Sequence, residues 1–270
     1  MVEITKKYKI GSRRFGLINW VGAWTLYKKE VLRFLIVWIQ TIFSPLISSL
    51  LFLLVLSLAI GADRGDVLGV PFITFLAPGL ISMQVIQQSF SHSSSSFMIG
   101  KIQGNIVDLL YAPLSPTEVT ISVALAAVTR SVMIAIVSII VFKLIIDIEI
   151  TNYFLLIVFT LLSSFILGNI GIIAGLWAEK FDHMATVTNF VIVPLSFLSG
   201  TFYSIERLPE ILQIVSKANP FFYMIDGFRY SFIGQADGSI TIGLVYLTIL
   251  SVVSWFITYL LYKKGYKIKS

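Results

Sequence analysis

Arg130 lies thirteen residues into the apolar stretch Thr117–Phe142. On a helix that crosses a bilayer, this puts its guanidinium about 20 Å along the axis, close to the midplane. A cation at that depth costs roughly 2.5 kcal/mol or more. It could line a path for an anionic substrate, or it could be bonded to carbonyls or a carboxylate of a neighbouring helix. The preceding apolar stretch carries Gln84, Gln87, Gln88, Ser91, His92 and Ser93–Ser96, and Gln84, Gln88, Ser91 and Ser95 share one helical face. Such a stripe belongs at a helix interface or on a wet path, not against lipid. His92 could titrate near neutral pH, although a lone histidine near a span end is equally an interfacial residue. Catalysis has less to build on. His92 and His183 have no ligand spacing with a carboxylate pair, and there is no GxxxxGK-S/T phosphate loop or GxSxG nucleophile elbow. No metal, bound cofactor or catalytic residue is therefore expected in this chain.

Helices must position these side chains. Of 270 residues, 57% are hydrophobic and only 13% charged, about half the charge of an ordinary soluble domain. Mean hydropathy is +0.90. That excludes a soluble enzyme, and the absence of cysteine excludes a disulfide scaffold. An all-α integral membrane protein is left. At about 20 apolar residues per crossing, the sequence predicts six transmembrane helices: Phe34–Ile60, Pro71–Met98, Thr117–Phe142, Tyr153–Ala178, Ala185–Tyr203 and Ile240–Tyr262. Residues 1–33 then form a tail with an amphipathic helix, 34–262 the transmembrane domain and 263–270 a basic tail. No apolar stretch precedes Phe34, so the first span is expected to serve as its own insertion signal. Gly168, Gly171 and Gly175 in the fourth span would let another helix approach closely.

The charges orient these spans. With the N-terminus inside, the inner segments hold fourteen Lys and Arg residues, the outer segments five, and Arg130 lies within a span. This positive-inside bias places both termini in the cytoplasm. The net charge of +6 reads as an insertion code, and no nucleic-acid partner is expected. Three flanking segments are amphipathic. In Arg14–Arg33, Leu17, Trp20, Val21, Trp24, Tyr27 and Val31 share one face, with Asn19, Lys29, Glu30 and Arg33 opposite. The pattern suits a helix lying in the membrane interface, either as a plain anchor or as a lever at the cytoplasmic mouth. In the inner loop, Ile102, Ile106, Leu109 and Leu110 form one helical face, with Lys101, Gln103, Asn105 and Asp108 pointing elsewhere and Pro113 and Pro116 as stops. It could dock on a soluble partner or rest on the membrane as a connector. The outer segment Ser204–Gly238 has apolar pieces too short to span and rich in aromatics, Phe221 and Phe222 among them. It reads as two short helices dipping into the outer leaflet, either an aromatic anchor or an outer lid with Phe202 and Tyr203 as gate side chains.

Several of these stretches together resemble the membrane subunit of ABC transporters of the ABC-2 (type V exporter) class, most closely bacterial permeases grouped with the nodulation-factor and polysaccharide exporters. They are Phe75–Leu80, Asn105–Pro113, Pro194–Ser204, Leu208-Pro209, Asn219-Pro220 and Gly227–Tyr230, in the same order and over nearly the whole chain. The resemblance implies a coupling helix at Lys101–Tyr111 seated on a separate ATPase, with Lys101, Gln103, Asn105, Asp108 and Leu109 as contact residues. It implies an interface helix carrying Trp20, Trp24, Lys29 and Arg33, and outer re-entrant helices gated by Phe202, Tyr203, Phe221 and Phe222. Two copies of the chain would work with two ATPase subunits holding ATP and Mg, in a bacterial inner membrane. An amphiphilic substrate would pass Gln84, Gln88 and Arg130. No extra carbohydrate-binding domain is identified, so drug, lipid, glycolipid and polysaccharide all stay open. Two other readings remain: a secondary transporter or channel driven by an ion gradient, and a membrane scaffold without transport.

Overall fold

The computed structural model describes residues 18–60, 65–146 and 148–268. The expectations resting on Lys6, Lys7, Lys9, Arg13, Arg14, Leu17, Arg64 and Lys269 lie outside the described residues. The described residues form eleven α-helices. A first helix, α1 (Trp20–Ile36), leads through a π-helical turn, Ile39–Phe43, into α2 (Ser44–Ile60). Then come α3 (Phe72–Ile102), the short α4 (Ile106–Tyr111), α5 (Pro116–Ile145) and α6 (Tyr153–Trp177). One interrupted rod follows, made of α7 (Phe181–Val187), a second π-turn, Thr188–Ile192, and α8 (Val193–Leu198). Last are α9 (Glu210–Ala218), α10 (Pro220–Ile233) and α11 (Ile240–Lys263).

Five helical stretches are long and apolar enough to cross a membrane: Ile39–Ala59, Pro116–Ile145, Tyr153–Trp177, Phe181–Leu198 and Ile240–Lys263. The remaining expected span, the second, corresponds to α3, the longest helix at 31 residues, about 46 Å, but its glutamines and serines keep its hydropathy below that of the others. Both π-turns end two residues before a proline, Pro45 and Pro194. A proline ring clashes with the carbonyl four residues back and offers it no N–H, and the wider π-turn makes room for the ring. Thr41, in the first of these turns, also donates its hydroxyl to the Phe34 carbonyl at 3.1 Å. The first expected span is thereby divided: α1 continues to Ile36, beyond the expected limit at Arg33.

The centre of the molecule is α3, buried along most of its length against α5, α6 and α10. The glycines of α6 explain how closely α3 and α6 approach. A Cβ on Gly171 would lie 2.5 Å from the Phe90 carbonyl oxygen, and one on Gly175 would lie 2.7 Å from that of Ser94. Ser89 on α3 donates to the Ser164 carbonyl of α6 in the same seam. Around this centre, α2 and α11 turn Leu51, Leu54, Val55 and Leu58, and Ile242, Ile249 and Val252, outward.

Candidate functional site

At the α4 end of α3, the expected continuous helix Lys101–Tyr111 is broken. Helix α3 carries on through Ile102, Gly104 turns the chain at φ +75°, and α4 begins at Ile106. Lys101 therefore does not belong to the short helix. Its ammonium donates to the carbonyls of Leu176 (2.7 Å) and Ala178, closing the C-terminus of α6. Burial lowers the Lys101 pKa from its ordinary value, and nearby Glu179 opposes that shift. Glu179 is itself held below the usual carboxylate range by Lys267, which donates to it at 2.9 Å. Gln103, Asn105 and Asp108 are exposed, and Leu109 is half-buried. Ile106 is buried with Leu26, Phe97, Val119, Tyr262 and Ile268. The breaks turn another apolar set outward: Ile102, Val107, Leu110 and Tyr111, the last 86% exposed.

The start of α5 fastens α4 from behind. Ser115 and Glu118 form a reciprocal capping box, and the Glu118 carboxylate also accepts the Asn19 backbone N–H at 2.6 Å. Asn19 donates its side-chain amide to the Pro113 carbonyl and accepts from the Gly22 N–H, capping α1. The Ser-x-x-Glu spacing was readable in the sequence as a helix start, but its partner ninety-nine residues away was not. A groove of about 340 Å³ runs between α1 and α4, with Lys29 on one wall and Asp108 and Leu109 on the other.

Helix α1 is turned opposite to the soluble-protein expectation. Its polar face packs inward, where Glu30 is only 4% exposed. The Glu30 carboxylate accepts from Arg33 Nε (3.0 Å) and Ser96 Oγ (2.8 Å), and His92 Nε2 lies 3.8 Å away. Arg33 also donates to the His92 carbonyl at 2.9 Å. Trp20, Val21 and Trp24 point outward, 63% or more exposed. A separate bond ties α5 to α3, where Arg130 donates from Nη2 to the Gln88 side-chain carbonyl. No bond is made by its Nε within the described residues. The polar stripe of α3 thus serves helix-to-helix bonding in part. Gln84 is buried and Gln88 half-buried, but Ser91 is exposed on this otherwise buried helix. Glu30→Leu is expected to cost about 2 kcal/mol, since it removes a charged acceptor from two donors. A lower unfolding temperature in detergent would show it, whereas an unchanged one would mean the cluster contributes nothing.

At the far end of α3 the fifth expected span also needs correction. It is helical only to Leu198, so Phe202 and Tyr203 sit on a non-helical strap after Gly200 (φ +77°). Phe202 packs on Phe197 and Phe52, and the Tyr203 hydroxyl donates to the Phe197 carbonyl. Two short helices follow as expected, α9 and α10, with Asn219 capping the second. Phe221 and Phe222 are buried in the bundle, not lining an opening. Arg229, in the Gly227–Tyr230 stretch but not among the expected site residues, is 1% exposed and packs against the strap and α3.

A family profile described as ABC-2 type transporter matches residues 22–233. The chain belongs to this family. In this ABC-2 chain the match runs from the first turn of α1 to the last residue of α10, and so includes the α1 cluster, α4 and the strap. The chain is also 32% identical to the inner membrane transport permease YadH of Escherichia coli K12 over 254 residues, covering 94% of this chain and 99% of that one. Nodulation protein J of Neorhizobium galegae is 22% identical over 92% of the chain and 94% of its own length. The same protein from Rhizobium leguminosarum bv. viciae is 23% identical over 90% and 93%. The ABC-2 chain is thus a multi-pass membrane permease subunit of an ABC transporter, a family that works with an ABC ATPase.

Proposed function

We propose that the chain is the membrane half of an exporter that moves an amphiphilic substrate outward, in the drug, lipid, glycolipid or polysaccharide class. The energy comes from ATP, with Mg, hydrolysed on two copies of a separate ATPase. The observation that carries this reading is α4: a six-residue helix, anchored from behind, whose outward side chains Val107, Leu110 and Tyr111 are apolar and exposed in a chain of the ABC-2 family. Such a face suits insertion into a groove of a soluble partner. In this reading α3 is a sixth span, both termini face the cytoplasm of a bacterial inner membrane, and α4 is the coupling helix. Gln103, Asn105 and Asp108 would frame its contact, with Leu109 and Lys101 holding it in place.

On that orientation α1 is the interface helix. Trp20 and Trp24 point to the lipid headgroups, while Arg33 bonds to α3 and the exposed Lys29 lines the groove towards α4. Helices α9 and α10 with the strap form the outer gate, with Phe202 and Tyr203 on the strap and Phe221 and Phe222 supporting it. Two copies of the chain would enclose the path, which supports placing the α3 stripe, Gln84, Gln88 and the exposed Ser91 with Arg130 beside it, on that path. The chain reconstituted in proteoliposomes with its ATPase should transport only when ATP is supplied and should keep transporting after an uncoupler is added. A second reading, ion-coupled transport, draws on buried Glu30 beside His92. It predicts the reverse: flux that an uncoupler abolishes while ATP is maintained.

A further inference from the structure

Arg229 is the largest fully buried side chain among the described residues. Among these residues it makes no ion pair within 4.0 Å of a carboxylate; instead its guanidinium is spent on backbone carbonyls. Nε donates to Phe75 O at 3.3 Å, and Nη2 donates to Gly200 O at 2.7 Å and Thr201 O at 3.2 Å. The Phe75 ring lies beneath the guanidinium, 3.9 Å from centroid to carbon. These acceptors come from two different elements. Gly200 and Thr201 belong to the strap, whose carbonyls are free because the helix ends at Leu198. Phe75 belongs to α3.

The sequence of α3 makes room for this at Pro78-Gly79. Pro78 has no N–H for the carbonyl of Thr74 and its ring pushes that carbonyl aside, which opens the turn. Gly79 lets the other parties approach. A Cβ there would lie 2.5 Å from Thr201 O and 2.8 Å from Arg229 Nη2. The strap is held from its other side as well. The Asp226 carboxylate accepts the N–H groups of Asp237 and Gly238 at 2.9 Å, and the Asp237 carboxylate accepts Ser204 Oγ and the Ile205 N–H. Hydrogen bonds thus hold residues 200–205 on both sides, and among the described residues those that link them to α3 run through Arg229, while Thr201 O also lies directly against Gly79. Helix α3 runs without a break from Phe75 to Ile102, next to α4.

We propose that Arg229 is a positioning residue of the exporter. It clips the strap at residues 200–205 to the Pro78-Gly79 turn, so that displacement of α3 from its α4 end is passed to the strap and lifts it. This rests on the exporter reading. One helix some 40 Å long links the two ends of the lever, and the clip consists of directional bonds to carbonyls that a shift of about 1 Å would break.

The chain has no cysteine, so a single reporter can be introduced. Thr201→Cys suits this, because Thr201 is fully buried and a membrane-impermeant maleimide reaches it only when the strap lifts. With the chain and its ATPase in proteoliposomes, the reporter should label slowly without nucleotide and faster during ATP turnover. Adding Arg229→Gln should raise labelling without nucleotide about ten-fold or more, the loss expected for hydrogen bonds from a charged group. ATP hydrolysis should continue while its ATP-dependent rise in labelling vanishes. Arg229→Lys, which keeps the charge but not the fork, should fall between. If Arg229→Gln does not fold, Gly79→Ala, which leaves Arg229 in place but obstructs the approach, should give the same raised labelling. Slow, ATP-responsive labelling in these variants, like that of the reporter alone, would reduce Arg229 to packing and overturn the proposal. If the reporter alone did not respond to ATP while ATP-dependent flux persisted in the same proteoliposomes, the clip would fall and the exporter reading would stand; if that flux were absent too, the exporter reading would fall, and the clip with it.

Discussion

Leu110→Asp together with Tyr111→Asp should weaken binding of the ATPase by about 30-fold or more and abolish substrate-stimulated ATP hydrolysis. The size follows from position. Tyr111 is 86% and Leu110 37% exposed on the outward face of α4, and central aromatic anchors at interfaces are commonly worth 2 kcal/mol or more. The fold should not suffer. Helix α4 is fixed through the other side, where Ile106 is buried in the cluster with Phe97 and Val119, and through the Glu118 capping box. Two aspartates on the free face leave these contacts alone but must be desolvated when the ATPase docks. Affinity of the detergent-purified pair and its stimulated hydrolysis are the measurements. Undiminished affinity in a normally folded variant would remove α4 as the docking element and with it the main support for the coupling reading. Asp108→Asn, on the groove side towards α1, is the milder companion change and should weaken binding only slightly.

The second large effect is structural. Gly171→Val should destabilise the chain by about 3 kcal/mol, at the upper end for overpacking in a close-packed interior. A side chain at this position meets the Phe90 carbonyl oxygen at 2.5 Å, Ser93 Cβ at 3.1 Å and the Ser94 backbone nitrogen at 3.2 Å. Two of these atoms are backbone and cannot rotate away, so α3 and α6 would have to separate. Between helices in lipid there is little hydrophobic drive to bring them back, because lipid tails are as apolar as the side chains. Loss of monodisperse protein in detergent and a lower unfolding temperature would report it. Gly65→Ala, where nothing among the described residues lies within 4 Å, is the matched control and should behave as the parent. A Gly171→Val chain as stable as the parent would mean that α3 and α6 can pack further apart than they do here.

Helix positions were largely legible because hydropathy and proline mark them directly. The expected limits of the third, fourth and sixth spans agree with α5, α6 and α11 within about three residues. The helix start at Ser115 and the close packing of the glycines on α6 could also be read from local pattern. The errors have identifiable causes. The break at Gly104 detached Lys101 and Ile102 from α4, since one glycine with positive φ ends a helix whatever the apolar spacing suggests. The helix before the strap stops at Leu198 because Ser199 and Gly200 leave the helical region, although Phe202 and Tyr203 continue the apolar run.

By itself, the sequence determined where the chain is helical, which stretches are apolar enough to cross a membrane, and the family to which their order belongs. Each of these depends on local composition and on neighbours within a few residues. The tertiary structure alone decided which way each helix faces and which distant backbones meet. For a helix with one greasy and one polar face, water would dictate the choice. In α1 the choice is reversed: Trp20, Val21 and Trp24 face outward, and the side carrying Glu30 and Arg33 pairs with α3, the arrangement expected of a helix whose outer face meets lipid under the proposed orientation. Arg229 and Glu118 depend likewise on carbonyls and N–H groups brought from elements far away in the chain. A backbone group looks the same at every residue, so nothing in the spacing of side chains could announce which ones a buried charge would find.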